Sequence, residues 1–412
     1  MDRVLFQEAV DKLLSQPGKP GSWQGRARPV VTISDVIPKR AEIKAMRGFL
    51  AERAFAPAMA LAEAHLGEER RNETLRGLAA QMALDPAFLD VAAIVLRTAK
   101  SNRKPTTVQA ALYLLACLAA RRQPDLALVS PLVWTSALRW LFDYCEPEAL
   151  RAASYVVSQR FPEQRFLKRL FDAASLVPPR LPGDRFADRL DAAAQLVRHV
   201  GDGHSGLLVC FCGFHGRMGI PLNFIERWAQ NAGFHVLYLR DLSQAHYRKG
   251  VSAFGETPAD MEQAIRAVAQ GLGSRHIAFY GSSMGGMVAI RTGMALGSQR
   301  ILCAAGTADV GPRPDGSRLT PQEKIAVTRD EADRLADELR QGVPGRIAYL
   351  HGSGNDRDSV VAAAITGIPG VETMTLSELN RHNIDFHLVM TGHYHRTFDW
   401  LAGRGDDVGL AP

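Results

Sequence analysis

The residue types and spacings able to do chemistry converge on Gly281-Ser-Ser-Met-Gly285. The pattern Gly-x-Ser-x-Gly recurs readily in a chain with 36 glycines, so its surroundings decide its weight. Upstream, residues 276–280 (His-Ile-Ala-Phe-Tyr) form a short β-prone run, and downstream Met287, Val288, Ile290 and Met294 recur at helical spacing. A serine at the sharp turn between such a strand and helix has its hydroxyl pushed clear of the sheet, while flanking glycines let the backbone bend and the helix pack close. Ser283 is therefore the candidate nucleophile. Serine alone is inert at neutral pH; it needs an imidazole to take its proton and a carboxylate to orient that imidazole and stabilise its charged form.

A turn of this kind requires a sheet behind it, and the second half of the chain carries the pattern of one. Pro178-Pro-Arg-Leu-Pro-Gly183 marks a boundary, followed by an expected helix over about 184–200 and a Gly/Asp/His turn at 201–206. Strand-like runs at 207–211, 235–240, 276–280, 300–305, 346–351 and 371–376 then alternate with helical runs at about 222–231, 258–271, 284–295, 321–340, 358–366 and 395–402. The alternation predicts an α/β domain over 179–412, a mostly parallel sheet with helices on both faces.

The first half has a different texture. Residues 1 to about 17 read as an amphipathic helix ended by Pro17-Gly18, and 19–39, rich in Pro, Gly and Arg with a short Val30-Val-Thr-Ile33 run, as a linker or added edge strand. Residues 1–40 are thus set apart from 41–178, where alanine and leucine recur at three and four spacing between breaks at Asp85-Pro86, Lys104-Pro105, Gln123-Pro124, Ser130-Pro131 and Glu146-Pro147. Successive short helices predict an all-α bundle or solenoid. Phe55-Ala-Pro-Ala-Met-Ala-Leu-Ala-Glu-Ala-His65 resembles half of a tetratricopeptide-type hairpin, without self-similarity at a fixed period along the chain. A lid or packing partner for the second half is the preferred reading of this region, over a surface for a protein partner.

Composition narrows the class. The chain of 412 residues is 46% hydrophobic and 22% charged, as in ordinary globular proteins with room for two domains. Its net charge of +6 arises from 49 basic residues spread beside 43 acidic ones, and with aromatics at 7% this argues against nucleic-acid binding. Cys117, Cys145, Cys210, Cys212 and Cys303 lie mostly within apolar runs, which suits buried thiols in a reducing compartment better than a disulfide framework. Acidic residues interrupt what would be a signal-peptide core, and no apolar run approaches spanning length, so a cytoplasmic protein without a membrane span is expected. Thr391-Gly-His-Tyr-His395 matches the Gly-His-x-His of metal-dependent phosphoesterases only superficially, because no partnering Asp-x-His or Gly-Asn-His-Asp segment exists. With no phosphate-binding or dinucleotide-binding glycine pattern either, no metal and no cofactor are expected.

Over residues 205–403 the sequence resembles the α/β-hydrolase family, with Gly281-Ser-Ser-Met-Gly285 as its nucleophile elbow. The resemblance implies a triad in the chain order serine, acid, histidine. Arg346-Ile-Ala-Tyr-Leu-His-Gly-Ser-Gly-Asn-Asp356 looks like the strand and loop that present the acid, which puts Asp356 first, with Asp358 and, more remotely, Asp309 as alternatives. Thr391-Gly-His393 resembles the family's closing Gly-His before a helix and puts His393 first, against His382 just after the last expected strand; His387 and His395 have poorer context. The oxyanion formed on attack needs two donors, the N–H of Met284 and one from Cys210-Phe-Cys-Gly-Phe-His-Gly-Arg217. Matching the family's glycine to Gly213 makes Phe214 that donor, whereas matching its His-Gly pair to His215-Gly216 points to Arg217; Phe214 is preferred because the expected strand ends near Cys212.

The implied activity is that of a serine hydrolase of esterase, thioesterase or amidase type, acting through an acyl-enzyme on a small-molecule or acyl-chain substrate. The same elbow serves acyltransferases. A reading of a different class is a non-catalytic hydrolase-fold scaffold carrying a helical protein-interaction domain. The segment 308–336, with Arg313, Arg318 and Lys324, lies where this fold inserts a lid, and its charges suit an anionic substrate or a solvated lid surface.

Overall fold

The computed structural model describes scattered residues between 107 and 122, most of 123–179, residues 196–199 and most of 201–408, with 308–318 outside the described set. The expectations for the N-terminal helix, the linker and the tetratricopeptide-like stretch, and those for Asp309, Arg313 and Arg318, lie outside the described residues. The chain divides into two compact units, the first holding the described residues up to Val177 and the second those from Leu196 on.

The described part of the first unit is helical: α1 (Pro131–Tyr144), α2 (Pro147–Arg160) and α3 (Arg165–Ser175). Proline opens α1 and α2 at the one helical position where its missing N–H costs nothing. Their apolar faces bury Trp134, Leu138 and Leu141 from α1, Leu150, Ala153 and Val157 from α2, and Leu167 and Leu170 from α3. The buried Trp134 indole donates to Leu126 O at 3.0 Å, so its one polar atom is satisfied.

The second unit holds a sheet of seven strands: β1 (Leu196–His199), β2 (Gly206–Phe211), β3 (Phe234–Leu239), β4 (Ile277–Ser282), β5 (Arg300–Ala304), β6 (Arg346–Gly352) and β7 (Val371–Leu376). Between them run α4 (Leu222–Asn231), α5 (Pro258–Gly271), α6 (Gly286–Ala295), α7 (Pro321–Arg340) and α8 (Asp356–Ile365), and α9 (Ile384–Met390) and α10 (Tyr394–Leu401) follow β7. The order among the described residues is β1-β3-β2-β4-β5-β6-β7; β2 to β7 are parallel and β1 runs antiparallel to β3. The mostly parallel sheet with flanking helices is the architecture of an α/β-hydrolase-like fold.

β1 corrects one expectation. Its four residues fall inside the helix expected over about 184–200, yet they pair with β3 from Leu196↔Leu239 to His199↔Val236. Edge hydrogen bonding to β3 outweighs a local helical preference, which is weak in so short a run.

Strand alternation sorts the core into two layers. Leu207, Val209, Phe211, Leu237, Leu239, Phe279, Ile301, Cys303, Ile347 and Tyr349 cluster with buried residues of α5, α6, α7 and α8. The alternate positions turn to the opposite face, where α4 contacts β3, α10 contacts β5 and α9 contacts β6. Strand order reverses between β2 and β4, which are neighbours although β3 lies between them in sequence. In open parallel sheets the crevice at the carboxyl ends of strands flanking such a reversal is where ligands bind.

Candidate active site

β4 ends at Ser282, and a single 3₁₀ turn, Ser283–Gly285, leads into α6. Ser283 has φ +54°, a left-handed conformation that costs a non-glycine residue about 1–2 kcal/mol. Packing holds it there: the space beside Gly281 is taken by the Gly285 carbonyl and Ala289 Cβ, and the space beside Gly285 by the Phe211 carbonyl. The Ser283 carbonyl also accepts from Gly286 N and, at 3.1 Å, from Thr307 N. The two glycines of the motif are thus required by close approach of strand, turn and helix, and the outcome is a half-buried serine hydroxyl projecting past the end of the sheet.

The imidazole that reaches this hydroxyl belongs to His382. Its Nε2 lies 2.8 Å from Ser283 Oγ, and its Nδ1 lies 3.1 and 2.9 Å from the two carboxylate oxygens of Asp358. A carboxylate on Nδ1 fixes the tautomer with hydrogen on Nδ1 and leaves the Nε2 lone pair to accept the serine proton. Asp358 is wholly buried while His382 keeps about a third of its side chain exposed, so the acid is rigid and the base is reachable. Asp358 stands in the first turn of α8, whose N-cap Asn355 accepts from Asp358 N at 3.2 Å.

This departs from the first sequence expectation at two positions. Asp356 opens α8 and is exposed; two helical residues turn the side chain by about 200°, so Asp358, not Asp356, faces inward. His393 sits at the N-cap of α10, beyond α9, with its backbone N–H bonded to Leu388 O at 2.9 Å. Burial, then the nearby Arg396 and His395 side chains, lower its pKa. The sequence expectation has no helix between the last strand and Gly392; α9 stands there and separates His393 from the segment after β7, which carries His382. Its context in sequence, just beyond the last strand, was the signal that marked it as the rival.

On the other side of the serine, the loop after β2 comes close: a Cβ on Gly213 would stand 3.3 Å from Ser283 Cβ and 3.2 Å from Ser282 O. The loop is anchored by Cys212 N donating to Leu239 O at 3.0 Å and by the Tyr247 hydroxyl, 2.8 Å from both Cys212 O and Leu239 O. Gly213 N donates to Arg217 O at 2.6 Å, which curls the segment back on itself and leaves Phe214 at its exposed turn. Met284 is the second residue of the 3₁₀ turn, where backbone N–H groups lack an intrahelical partner.

A second buried aspartate, absent from the sequence expectations, lies beneath the elbow. Asp385, in the first turn of α9, accepts from Ser282 Oγ at 2.8 Å, from Tyr280 OH, and from Tyr394 OH at 3.2 Å; the two phenol oxygens are 3.0 Å apart. Trp228 and Phe398 pack around Tyr394, and Phe398 also meets Tyr280 edge-on. Burial pushes the Asp385 carboxyl up to about 6, against the opposing pull of the three hydroxyls. Tyr280 and Ser282, two apart on one strand, share a face, and that spacing was the readable half of the cluster.

Beyond the end of β3, a cavity of about 470 Å³ is lined by Arg240, Asp241, Ser243, Lys249, Val251 and Glu256, a mixture of both charges. Among the described residues, no group of three His, Cys, Asp or Glu side chains could hold a metal ion, and no helix is long and apolar enough to cross a membrane. Cys117, Cys210, Cys212 and Cys303 are buried, and burial raises the pKa of the Cys210 and Cys303 thiols.

Among solved structures, the chain is similar to a monoacylglycerol lipase of Paleococcus ferrophilus (13% identity over 51% of this chain and 99% of that one, TM-score 0.35). It is also similar to a carboxylesterase of Bacillus subtilis (12%, 58% and 98%, 0.35) and to a proline iminopeptidase of Mycobacterium smegmatis (14%, 51% and 94%, 0.33). No family model and no curated protein matches the sequence.

Proposed function

We propose that this protein is a serine hydrolase that cleaves an ester, thioester or amide through an acyl-enzyme, with Ser283 as nucleophile, His382 as general base and Asp358 as its orienting acid. The observation that supports it is the continuous chain from Ser283 Oγ to His382 Nε2 at 2.8 Å and from His382 Nδ1 to Asp358 at 2.9 Å. Ser283 Oγ attacks the carbonyl carbon while its proton passes to His382 Nε2, and the imidazolium beside Asp358 then gives that proton to the leaving group as the acyl bond breaks. Water, deprotonated by the same nitrogen, attacks the acyl-enzyme and releases the acid. The tetrahedral oxyanion of each half-reaction is received by the N–H of Met284 and that of Phe214, whose loop Gly213 brings against the serine. A small-molecule or acyl-chain substrate fits this chemistry. If an alcohol, thiol or amine replaces water in the second step, the same groups perform acyl transfer.

A fluorophosphonate probe tests the assignment on the full chain. Stoichiometric labelling of the wild type, lost in Ser283→Ala and slowed at least about 1,000-fold in His382→Ala, is expected. Labelling that persists in Ser283→Ala at the wild-type rate sinks the proposal.

A further inference from the structure

Resting on that serine-hydrolase reading, we infer that Asp385 is a positioning residue for the reaction, a buried carboxylate that holds in register the three segments carrying the nucleophile, the base and the oxyanion-binding loop. The juxtaposition is specific. Ser282, which donates to Asp385 Oδ2 at 2.8 Å, is the residue immediately before the nucleophile. Asp385 itself lies three residues after His382, with Asn383 capping the helix between them by accepting from Phe386 N at 3.0 Å.

The third segment is the loop after β2. The Asn383 side-chain amide donates to Gly219 O at 2.8 Å, and the space where a side chain on Gly219 would sit is filled by Asp385 Oδ2 and Asn383 Oδ1. Gly219 has φ +78°, so its backbone can lie flat against the carboxylate. Tyr280 and Tyr394 occupy the other oxygen and fix the rotamer of the carboxyl group. The 2.8 Å contact between Ser283 and His382 is therefore set from both ends: Asp358 orients the ring, and Asp385 sets the distance between the loop that bears the ring and the strand that bears the serine.

Were the cluster only structural, its removal would lower stability and leave the chemistry of the folded molecules intact. A misplacement of about 1 Å, by contrast, slows the step by about 100-fold. The two roles separate in labelling kinetics with a fluorophosphonate. The labelling end-point counts competent molecules, and the rate at saturating probe reports the approach of Ser283 to its base. For Asp385→Asn, the expected result is a full end-point with a saturating rate constant reduced about 10- to 100-fold and a half-saturating probe concentration within about twofold of wild type. Ser282→Ala, which removes one donor without disturbing the carboxylate's burial, is expected to slow the same constant about 3- to 10-fold and serves if Asp385→Asn does not fold. Wild-type rates in Ser282→Ala and in folded Asp385→Asn, with only a lowered melting temperature, overturn the inference. Failure of the wild type itself to label at Ser283 is a distinct outcome, which removes the hydrolase reading and this inference with it.

Discussion

Asp358 and Asp385 occupy nearly the same position on paper. Each is closed to solvent, and each lies in the first turn of a helix capped by an asparagine side chain; Asp358 reaches Ser283 through His382, and Asp385 bonds Ser282, the residue before it. They differ in what they face. Asp358 meets an imidazole, which in the proposed reaction becomes cationic on taking the serine proton, so that the buried charge gains an opposite charge. Asp385 meets three hydroxyls, which donate hydrogen bonds and acquire no charge. On the proposed reading, the same residue type at the same burial serves electrostatics in one place and geometry in the other. The sharpest way to break the comparison is Asp358→Asn, which keeps shape but favours the wrong imidazole tautomer. Its labelling rate is expected to fall by about 10³–10⁴-fold, far below that of Asp385→Asn. Equal losses in the two variants, measured side by side, would erase the distinction.

The second difference is thermodynamic. Burial of Asp385 outweighs the hydroxyl donors and raises its carboxyl to about 6 from an ordinary 3.8. A raised folded-state value means the native state holds the proton more tightly than the unfolded chain. The stabilising contribution is therefore complete below about pH 4 and lost as pH climbs through about 6. The groups facing Asp385 are Tyr280 and Ser282 on β4, Tyr394 on α10, and, electrostatically, Cys210 on β2 and Cys303 on β5. The hydroxyls and thiols among them stay protonated through this window, as burial holds the tyrosines and cysteines above their usual ranges. Denaturant unfolding at pH 4 and pH 7 is expected to show wild type losing about 2 kcal/mol relative to Asp385→Asn across that interval. A difference that is flat with pH, or that grows in the opposite direction, contradicts the account.

Which parts of this site were readable before any coordinates follows from how local each determinant is. Ser283 was readable because two glycines, a β-prone run and a helical repeat all lie within about twenty residues of one another. The six parallel strands were readable for the same reason, since each alternates with a helix long enough to show its period. β1 was not, because four residues carry too little pattern to resist reading as the end of a helix, and its strand state comes from pairing with β3. His382 stands just before α9, seven residues whose inward side is Ile384, Asp385, Leu388 and Val389 and which are too few to show a helical period in sequence. The choice between Asp356 and Asp358 turned on where α8 begins; reading Asn355 as its cap would have put Asp358 at the third helical position, facing in. Asp385 was unreadable as a site residue because its bond to Ser282 closes 103 residues of chain.

The smallest expected effects test the helix geometry from the opposite side. Asp356 and Asp358 are two residues apart, and so are turned about 200° from each other around α8. Asp356 is exposed, and its neighbour on the inward side bonds the base. His393 is separated from His382 by the whole of α9, and its side chain makes no capping bond to α10. Substitutions at surface positions of this kind shift free energies by about 0.5 kcal/mol or less. Asp356→Asn and His393→Ala should therefore label within about twofold of the wild-type rate, since 0.5 kcal/mol corresponds to a factor of about 2. A tenfold loss in Asp356→Asn with Asp358 intact would mean that α8 starts later in the protein in solution. The same loss in His393→Ala would mean that the chain after β7 rearranges to bring a different imidazole to Ser283.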